Sequence, residues 1–348
     1  MIPVLYVTVG KETADSAIRF LNETGLLDKS MKIIKSAHSV NIPILGQPSE
    51  PEMSHLLGLG CKISTGGRFQ PRRRVPPPFN EIRKDVQNTL GNEIASTLPD
   101  KWEMFGDILV IRLPGIPDEH KTAVARAYAR YLNAKTVLED VGGISGIKRE
   151  PLVRTLYGTD TLTVHRENRV LFMFDTSRIM FSSGNIEERR RMATISNSGE
   201  TVVDMFAGIG YFSIPMAVHS KPKKIISCEI NSVAYEYLKR NIELNRVPNL
   251  VEPRLGDCMD TAPEGMADRV VMGYLHSETF IPKAMRVVKP GGIIHYHNAC
   301  PIDAYERPIN IVRKCAADAG RDVEQIKFTI VKSYAPCINH VVLDMRIV

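Results

Sequence analysis

Cysteine is scarce in this sequence, which also contains no long apolar run. The six cysteines are scattered without a C-x-x-C pair, at Cys61, Cys228, Cys258, Cys300, Cys315 and Cys337. This scatter argues against a disulfide framework or a zinc site and predicts a reducing, cytoplasmic environment with no metal. No stretch approaches the roughly 20 apolar residues that cross a bilayer, so no membrane partner is expected. The opening MIPVLYVTVGKETAD lacks a basic leader and a cleavage site, and no signal peptide is predicted.

Neither the charge nor the hydrophobic content is extreme. The 348 residues carry a formal net charge of +6, with 24% charged and 43% hydrophobic residues, which is typical of a globular protein. A chain of this length exceeds one average domain of roughly 100–150 residues, so two or three domains are predicted.

Changes of pattern divide the chain into four segments. Residues 1–65 alternate strand and helix patterns, which predicts a small α+β module. Residues 66–80, GGRFQPRRRVPPPFN, predict a basic linker stiffened by proline. Its arginines, Arg68 and Arg72–Arg74, contact phosphates or belong to a solvated connector, and the sequence does not decide between the two. Residues 81–195 and 196–348 form two further domains.

The segment 81–195 predicts a small ferredoxin-like sheet, a common nucleic-acid platform. Its expected elements are a strand at Ile108–Leu113, a helix at Pro117–Asn133, a strand at Thr136–Val141, a glycine loop at Gly142–Gly146 and a hairpin of Thr161–His165 with Val170–Asp175. Arg149 and Arg154 add basic groups to this surface, and we expect them to bind phosphates together with the linker arginines.

The stretch from Val202 to Glu229 carries the clearest chemical signal. A short apolar strand ends near Asp204 and is followed by Gly208 and Gly210, where small residues let a ligand approach the backbone. A helix and a second strand follow, and that strand ends at Glu229. A carboxylate about 20 residues after a glycine turn can accept hydrogen bonds from both ribose hydroxyls.

S-adenosylmethionine fits this pattern better than a dinucleotide does. Ser213 replaces the third glycine of a dinucleotide turn, and Asp204 would repel a pyrophosphate. An acidic group beside the turn instead suits a ligand with an ammonium and a sulfonium. The alternative without a ligand is a chance Gly-x-Gly in an ordinary α/β corner. Asp257 and Cys258 argue against it, because they follow a third strand at the same sheet edge, where a carboxylate and an N–H can meet adenine.

The alternation of strands and helices in residues 196–348 predicts a doubly wound parallel sheet. The last two strands, Ile326–Ser333 and His340–Ile347, predict an antiparallel hairpin at its edge. Lys289–Gly292 predicts a tight structural turn before a strand.

Several separated motifs together resemble tRNA-modifying enzymes that act at position 37, beside the anticodon. The resemblance covers roughly residues 100–348 and rests on the turn DMFAGIGYF, on Arg149-Glu150-Pro151 and on Phe181–Arg189. It implies a class I methyltransferase-type domain preceded by a small RNA-facing domain. Two families share this layout. One is the guanosine-37 N1-methyltransferases, and the other is the wybutosine-synthesising protein 2 family, which transfers the 3-amino-3-carboxypropyl group of S-adenosylmethionine to a tricyclic guanine derivative.

Two departures favour the wybutosine family. The methyltransferases carry F-S-P-R-L-S-T-E-R where this chain reads FSSGNIEER, so Gly184 stands at the position of their arginine. On the fourth strand they carry N-L-P, where this chain has Met272-Gly273-Tyr274-Leu275-His276. Both departures remove groups that the resemblance links to methyl transfer onto guanine N1.

The resemblance also implies where S-adenosylmethionine is held, namely at Ser182, Arg189, Glu229, Asp257 and Cys258. The guanidinium of Arg189 is expected to face the carboxylate of the methionine arm, which Ser182 also flanks. Glu188 takes the proton lost from the base carbon, or it is simply ion-paired within the run EERRR; both interpretations stand at this point.

The function implied by the resemblance is aminocarboxypropyl transfer to the 4-demethylwyosine base at position 37 of tRNA(Phe), with release of 5′-methylthioadenosine. The same sulfonium carries a methyl group, and binding decides which carbon faces the base. A tRNA guanosine-37 N1-methyltransferase is therefore the first alternative. The second is an RNA-binding module with a vestigial cofactor site.

Overall fold

The computed structural model describes residues 4–28, 30–67, 69, 78–145 and 150–348. The linker arginines Arg68 and Arg72–Arg74, and also Arg149, lie outside these residues. The chain divides into two compact units, one ending at Pro78 and the other spanning Phe79–Val348.

The first unit is a four-stranded antiparallel sheet with two helices. Its elements are β1 (Val4–Gly10), α1 (Ala14–Glu23), β2 (Ile34–Lys35), β3 (Ser39–Ile44), α2 (Glu50–Gly58) and β4 (Lys62–Gly67), with strand order β2-β3-β1-β4. Buried Val7 and Val9 alternate with more exposed residues along β1 and pack with Leu21 and Leu56 of the two helices. This unit therefore has a hydrophobic core of its own.

The second unit begins with another four-stranded sheet. Its elements are α3 (Pro78–Leu90), α4 (Asn92–Ser96), β5 (Glu103–Phe105), β6 (Ile108–Ile111), α5 (Asp118–Leu132), β7 (Thr136–Ser145) and β8 (Glu150–Tyr157). The order is β5-β6-β7-β8, and β6 with β7 is the parallel pair. Helix α5 carries Asp118 and Glu119 in its first turn and ends at Asn133, which adopts a left-handed conformation. The predicted helix is confirmed.

The predicted glycine loop at Gly142–Gly146 is wrong in its described part. Strand β7 continues to Ser145 and pairs with β8, a strand that the sequence pattern did not reveal. The register shifts between Asp140 and Gly143, so the strand takes up these glycines as an irregularity. Strand β8 was missed because it holds no fully buried residue and so lacks a strong apolar pattern.

The predicted hairpin forms from β9 (Leu162–Glu167) and β10 (Val170–Asp175), with a turn at Asn168 and Arg169, both at positive φ. This hairpin does not join the sheet of β5 to β8 but forms a separate two-stranded sheet. The reason is its apolar face. Val170, Phe172 and Phe174 are completely buried in a core that also contains helices of the domain that follows.

The rest of the chain forms a seven-stranded sheet. Its elements are α6 (Ile186–Met192), β11 (Thr201–Asp204), α7 (Ser213–His219), β12 (Lys224–Glu229), α8 (Ser232–Leu244), β13 (Val251–Leu255), α9 (Cys258–Thr261), β14 (Ala267–Met272), α10 (Ile281–Val287), β15 (Val288–Pro301), α11 (Glu306–Asp318), β16 (Val323–Ala335) and β17 (Ile338–Ile347). The order is β13-β12-β11-β14-β15-β17-β16. The first five strands are parallel, and β17 lies antiparallel between β15 and β16. The predicted fold with its edge hairpin is confirmed.

Both faces of this sheet are covered. Val202 packs in one core with Ile214 of α7 and Leu238 of α8, whereas its neighbour Val203 packs in the other core with residues of α10 and α11. Two covered faces explain why the parallel strands read as apolar runs rather than as alternating patterns.

The turn predicted at Lys289–Gly292 is not a separate turn. These residues lie inside β15, where the register against β14 shifts between Ala267 and Arg269. Gly291 has a φ of 78°, which accommodates this irregularity.

Two amide side chains, one on α8 and one at its C-terminal cap, fasten the β9–β10 hairpin to the sheet domain. Asn241 accepts a hydrogen bond from the Met173 N–H (2.6 Å) and donates to the carbonyls of Met173 (3.2 Å) and Ile209 (3.1 Å). One turn later, Asn245 makes the same pair of bonds to Leu171, at 2.9 and 2.7 Å. The amides therefore satisfy the open edge of β10 as a neighbouring strand would.

Replacing Asn241 with alanine is expected to lower the free energy of unfolding by about 2–4 kcal/mol, because three backbone groups lose a buried partner. Urea unfolding measures this change. Glu243→Ala, an exposed position on the same helix, is the matched control and should stay within about 0.5 kcal/mol of the parent. A loss below roughly 1 kcal/mol for Asn241→Ala would contradict the proposed clamp.

Candidate active site at the carboxyl edge of the sheet

A cavity of about 770 Å³ opens where the parallel strands end, a size typical of small-molecule sites. Ligands of open α/β sheets bind at this edge. The cavity is bounded by the ends of β11 to β14, by the β16–β17 hairpin and by the four-stranded sheet of β5 to β8. Representative lining residues are Gly208, Glu229, Asp257, Gly273, Lys332 and Asp140.

The glycine turn begins where β11 ends. Gly210 has a φ of 99°, and a Cβ there would lie 2.4 Å from the Cδ1 atom of Ile214, so the position requires glycine. Gly208, with a φ of 58°, lines the cavity. Its N–H donates to the Oε2 atom of Glu229 at 2.7 Å. The turn therefore presents backbone to the cavity at Gly208 and packs against helix α7 at Gly210.

Glu229 ends β12 and lies against the cavity, as the sequence predicts. Its second oxygen, Oε1, accepts the Asn231 N–H at 2.7 Å. Burial raises the pKa of this carboxyl, while the two N–H donors fix its orientation. A carboxylate has about four acceptor positions, so acceptor capacity remains for the hydroxyls of a ligand.

Asp204 lies beneath the turn rather than in the cavity wall. Its Oδ2 atom accepts the Ser213 hydroxyl at 2.6 Å, and its Oδ1 atom accepts the Phe206 N–H at 3.2 Å. Burial raises its pKa to about 6. In this position Asp204 shapes the turn instead of facing a ligand directly.

Asp257 and Cys258 follow β13 and both line the cavity. The side chain of Asp257 caps α9 by accepting the Met259 N–H at 2.9 Å. Cys258 is buried, and burial raises the pKa of its thiol, so it contributes its backbone and its shape rather than a nucleophile. Three strand ends thus converge on one cavity, as the sequence predicts.

Arg189 lines the cavity, but its charge is already balanced. Both it and Glu167 are buried, and the Nε and Nη2 atoms of Arg189 each lie 2.6 Å from an oxygen of Glu167. Its Nη1 atom donates to the carbonyl of Ser182 at 2.9 Å. The structure therefore brings Ser182 and Arg189 together, with Arg189 supporting the backbone of Ser182.

Sequence reasoning missed Lys332 of β16. Its Nζ atom lies 3.1 Å from the hydroxyl of Ser182, and both residues line the cavity. The two are 150 positions apart in the sequence, and no local pattern links them.

Glu188 is buried and is not among the residues that line the cavity. Its two oxygens accept hydrogen bonds from Arg191 at 2.7 and 2.8 Å, and Arg191 also contacts Asp344 at 2.7 Å. Burial raises the pKa of Glu188. The structure therefore contains the ion pair that one of the two interpretations of Glu188 expects.

Two buried histidines connect Glu188 with the cavity. The Nε2 atom of His297 lies 3.6 Å from Glu188, and its Nδ1 atom lies 3.0 Å from the Nε2 atom of His340, which lines the cavity. Among the described residues, the Nε2 atom of His297 and the Nδ1 atom of His340 have no hydrogen-bond partner. Burial, and then the mutual proximity of the rings, holds the pKa of His297 well below its ordinary value.

Aromatic rings form one wall of the cavity. The ring centroid of Phe206 lies 5.6 Å from that of Tyr274 and 5.1 Å from that of Phe280, and Tyr274 also packs edge-on against His276. Tyr274 and His276 belong to the stretch that departs from the methyltransferase pattern. Such a wall suits a flat heterocycle.

Arg154, for which a phosphate contact is predicted, is held by carboxylates. It contacts Asp118 at 2.9 Å and Glu139 at 2.6 Å. Across the described ranges, no cluster of three or more His, Cys, Asp or Glu side chains could hold a metal ion. In the same part of the chain, no helix is both long and apolar enough to span a bilayer.

Known proteins share this architecture. The TRM5/TYW2 methyltransferase domain matches residues 163–324, and the TYW2 N-terminal domain matches residues 82–161. A tRNA(Phe) (4-demethylwyosine(37)-C(7)) aminocarboxypropyltransferase of Pyrococcus horikoshii is 41% identical, over 76% of this chain and 96% of the relative. The crystal structure of P. horikoshii TYW2 in complex with MeSAdo has a TM-score of 0.71 at 38% identity, covering 77% of this chain and 98% of that one. A tRNA (guanine(37)-N(1))-methyltransferase Trm5b of Pyrococcus abyssi is 31% identical over 99% of both chains.

Proposed function

Because the chain belongs to the TYW2 family of wybutosine-synthesising proteins, within the TRM5/TYW2 group, we propose that it is a tRNA aminocarboxypropyltransferase. It transfers the 3-amino-3-carboxypropyl group of S-adenosylmethionine to the 4-demethylwyosine base at position 37 of tRNA(Phe). The observation that carries this proposal is the match to a named aminocarboxypropyltransferase over 96% of that relative.

The residues at the carboxyl edge fit S-adenosylmethionine. Glu229 offers its remaining acceptor positions to the ribose hydroxyls, and Asp257 with the backbone of Cys258 meets the adenine. Gly208 allows close approach, while Asp204 and Gly210 keep the turn in shape. Ser182, supported by Arg189, borders the methionine arm.

When bound, S-adenosylmethionine supplies a sulfonium whose bond to the γ-carbon breaks as the base carbon attacks, leaving 5′-methylthioadenosine. The protein's part is to position the reacting carbons and to remove the proton that the base carbon loses. The aromatic wall of Phe206, Tyr274 and Phe280 orients a tricyclic base, and Gly273, whose backbone also lines the cavity, lies against the ring of Phe212.

Glu188 remains the proposed final acceptor of that proton, and the two histidines give it a path. His340 takes the proton at the cavity on its Nδ1 atom and releases its Nε2 proton to His297. His297 in turn releases its Nε2 proton toward Glu188, which lies 3.6 Å away. The ion pair with Arg191 holds the Glu188 carboxylate in place.

Isotope transfer tests the proposed function. With premodified tRNA(Phe), S-adenosylmethionine labelled in the carboxyl carbon should label the RNA, and donor labelled in the methyl group should not. The label incorporated into the RNA is counted, and the nucleoside product is identified by chromatography. Label entering from the methyl group would instead establish a methyltransferase, and no label from either donor would favour a binding module.

The N1-methyltransferase is the second candidate, and one observation favours it. The Trm5b relative covers 99% of this chain, including the first unit, whereas the named aminocarboxypropyltransferase covers 76%. To test this candidate, the labelling experiment is repeated with unmodified tRNA that carries guanosine at position 37, and a methyltransferase would transfer label from the methyl-labelled donor.

A further inference from the structure

We propose that Asp344 and His295 are positioning residues for the transfer reaction. They hold the guanidinium of Arg191 between two carboxylates, which keeps Glu188 oriented toward His297 and able to accept a proton. This inference rests on the proposed function, because Glu188 is the proton acceptor proposed there. Both positioning residues lie outside the cavity wall, as its described residues define it, so they act through other side chains rather than on a ligand.

The first support is the way in which one guanidinium is shared. The Nε and Nη2 atoms of Arg191 donate to Glu188 at 2.8 and 2.7 Å, and its Nη1 and Nη2 atoms donate to Asp344 at 2.7 and 3.2 Å. An arginine committed to a single buried carboxylate would favour the ionised form of that carboxylate more strongly. The two carboxylates instead share one positive charge. Glu188 is therefore fixed in direction by two hydrogen bonds without receiving the whole charge of its partner.

The second support is the fixed protonation state of His295. The Nη1 atom of Arg269 lies 2.7 Å from the Nε2 atom of His295, and a guanidinium can only donate. The Nε2 atom is therefore the acceptor, and the ring proton is on Nδ1, which donates to the Oδ1 atom of Asp344 at 2.5 Å. Burial lowers the pKa of His295, which agrees with a neutral ring. Arg269 is itself held by two hydrogen bonds to Glu200, at 2.8 and 2.9 Å.

The third support is the sheet geometry that brings these groups together. His295 pairs in register with Asp344 on the antiparallel strands β15 and β17. His297 lies two residues after His295 and therefore shares its face of the sheet. Helix α6 lies against this face, because Arg191 contacts Asp344 and Glu188 lies 3.6 Å from His297. The hydrogen-bonded series from Asp344 through Arg191 therefore ends beside the proposed proton path.

The charges around Glu188 decide how readily it accepts a proton. Burial raises its pKa most, the charge of Arg191 lowers it, and the negative charge of Asp344 raises it. Lys327, an exposed residue of β16 that pairs in register with Asp344, acts in the same direction as Arg191. His297 on β15 is neutral, because burial holds its pKa well below the ordinary value. Removing the charge of Asp344 therefore leaves the charge of Arg191 to Glu188 alone and makes Glu188 a weaker base.

Carbon-13 NMR of the Glu188 carboxyl group tests the inference on the protein alone. Protein labelled at the side-chain carboxyl carbon of glutamate is titrated with acid, and the resonance that is missing from Glu188→Gln identifies the group. Asp344→Asn should lower the pKa of Glu188 by about 1, the scale of the effect of one nearby charge. Asp318→Asn, at an exposed aspartate that ends α11, is the matched control and should leave this pKa as it is in the parent.

Single-turnover transfer measures the consequence for the reaction. Asp344→Asn should lower the rate about 3–10-fold, a part of what a positioned base contributes. Its affinity for S-adenosylmethionine, measured by calorimetry, should stay within about twofold of the parent, which also reports that the variant is folded. His295→Asn keeps a side-chain amide that can donate to Asp344, so it should retain more of the rate than His295→Leu.

A parental pKa of Glu188 in Asp344→Asn would overturn the assignment, and so would a lowered pKa with a parental rate of transfer. Loss of donor affinity in step with the rate would give both residues a structural role only, and would overturn it as well. With the parent protein, failure of the carboxyl label to enter the RNA would contradict the proposed function itself. The NMR titration distinguishes that failure from a failure of this inference, because it uses neither RNA nor donor.

Discussion

Replacing Glu229 with alanine is expected to lower the affinity for S-adenosylmethionine by at least about a hundredfold, the largest binding effect in the site. The carboxylate accepts both ribose hydroxyls in the proposed complex, and each charge-assisted bond contributes roughly 1.5–3 kcal/mol. The variant also frees the Gly208 N–H, which now donates to Glu229 at 2.7 Å. Both effects act on the same half of the ligand, so the affinities for S-adenosylmethionine and 5′-methylthioadenosine should fall together.

Calorimetry with both ligands measures this loss. The variant also leaves the N–H groups of Gly208 and Asn231 without their acceptor, which should lower the free energy of unfolding by about 1–3 kcal/mol, so circular dichroism is used to verify that the variant is folded in the binding experiment. Glu243→Ala, on the exposed face of α8, is the control. Affinities within about threefold of the parent for Glu229→Ala would exclude the ribose contact, since such a change is below one hydrogen bond.

Replacing His340 with alanine is expected to lower the single-turnover rate of transfer by about a hundredfold, the lower end of what a positioned base contributes. The affinity for S-adenosylmethionine should be retained, because the ring belongs to the proposed proton path. Added imidazole should restore part of the rate, which a structural role of the ring would not produce. A parental rate in His340→Ala would remove the histidines from the mechanism.

The pH dependence gives a second measurement on the parent protein. Burial, assisted by the charge of Lys332, lowers the pKa of His340 to about 4. A base acts in its deprotonated form, so His340 should remain competent as the pH falls through 6.5, where an ordinary histidine becomes protonated. Glu188, whose pKa burial raises, can also contribute to a loss of rate at low pH, so the residual rate of His340→Ala is measured for comparison. A midpoint near 6.5 in the parent that is absent from His340→Ala would contradict this environment.

The sequence revealed the half of the site that depends on local chain geometry. A strand, a glycine turn, a helix and a second strand follow one another within residues 201–229, so their chemistry can be inferred from spacing alone. Glu229 and Asp257 end parallel strands, and strands of one parallel sheet end at one edge. The register of the C-terminal strands was harder to infer, because β17 inserts between β15 and β16 and nothing local specifies its neighbour on the β15 side.

The run EERRR shows why the other half escaped. It looks like a uniformly charged, solvated helix turn, yet α6 buries Glu188 and Arg189 and leaves Glu187 and Arg190 exposed. On the helix, Glu188 and Arg189 turn toward the core while Glu187 and Arg190 turn toward solvent. The partners that allow Arg189 and Arg191 to be enclosed are distant in the sequence. Glu167 pairs with Arg189, and Asp344 pairs with Arg191. Pairing across the fold therefore commits Arg189 and Arg191 to carboxylates of this chain.

The insertion of β17 also sets the order in which the site can mature during translation. Strand β15 keeps an open edge until residues 338–347 have left the ribosome, because only then can β17 pair with it. The loops that bear Gly208, Glu229 and Asp257 are synthesised well before Lys332 and His340. A nascent chain therefore gains the strand ends that are proposed to meet the nucleoside before it gains His340, so the proposed proton path forms after the nucleoside site.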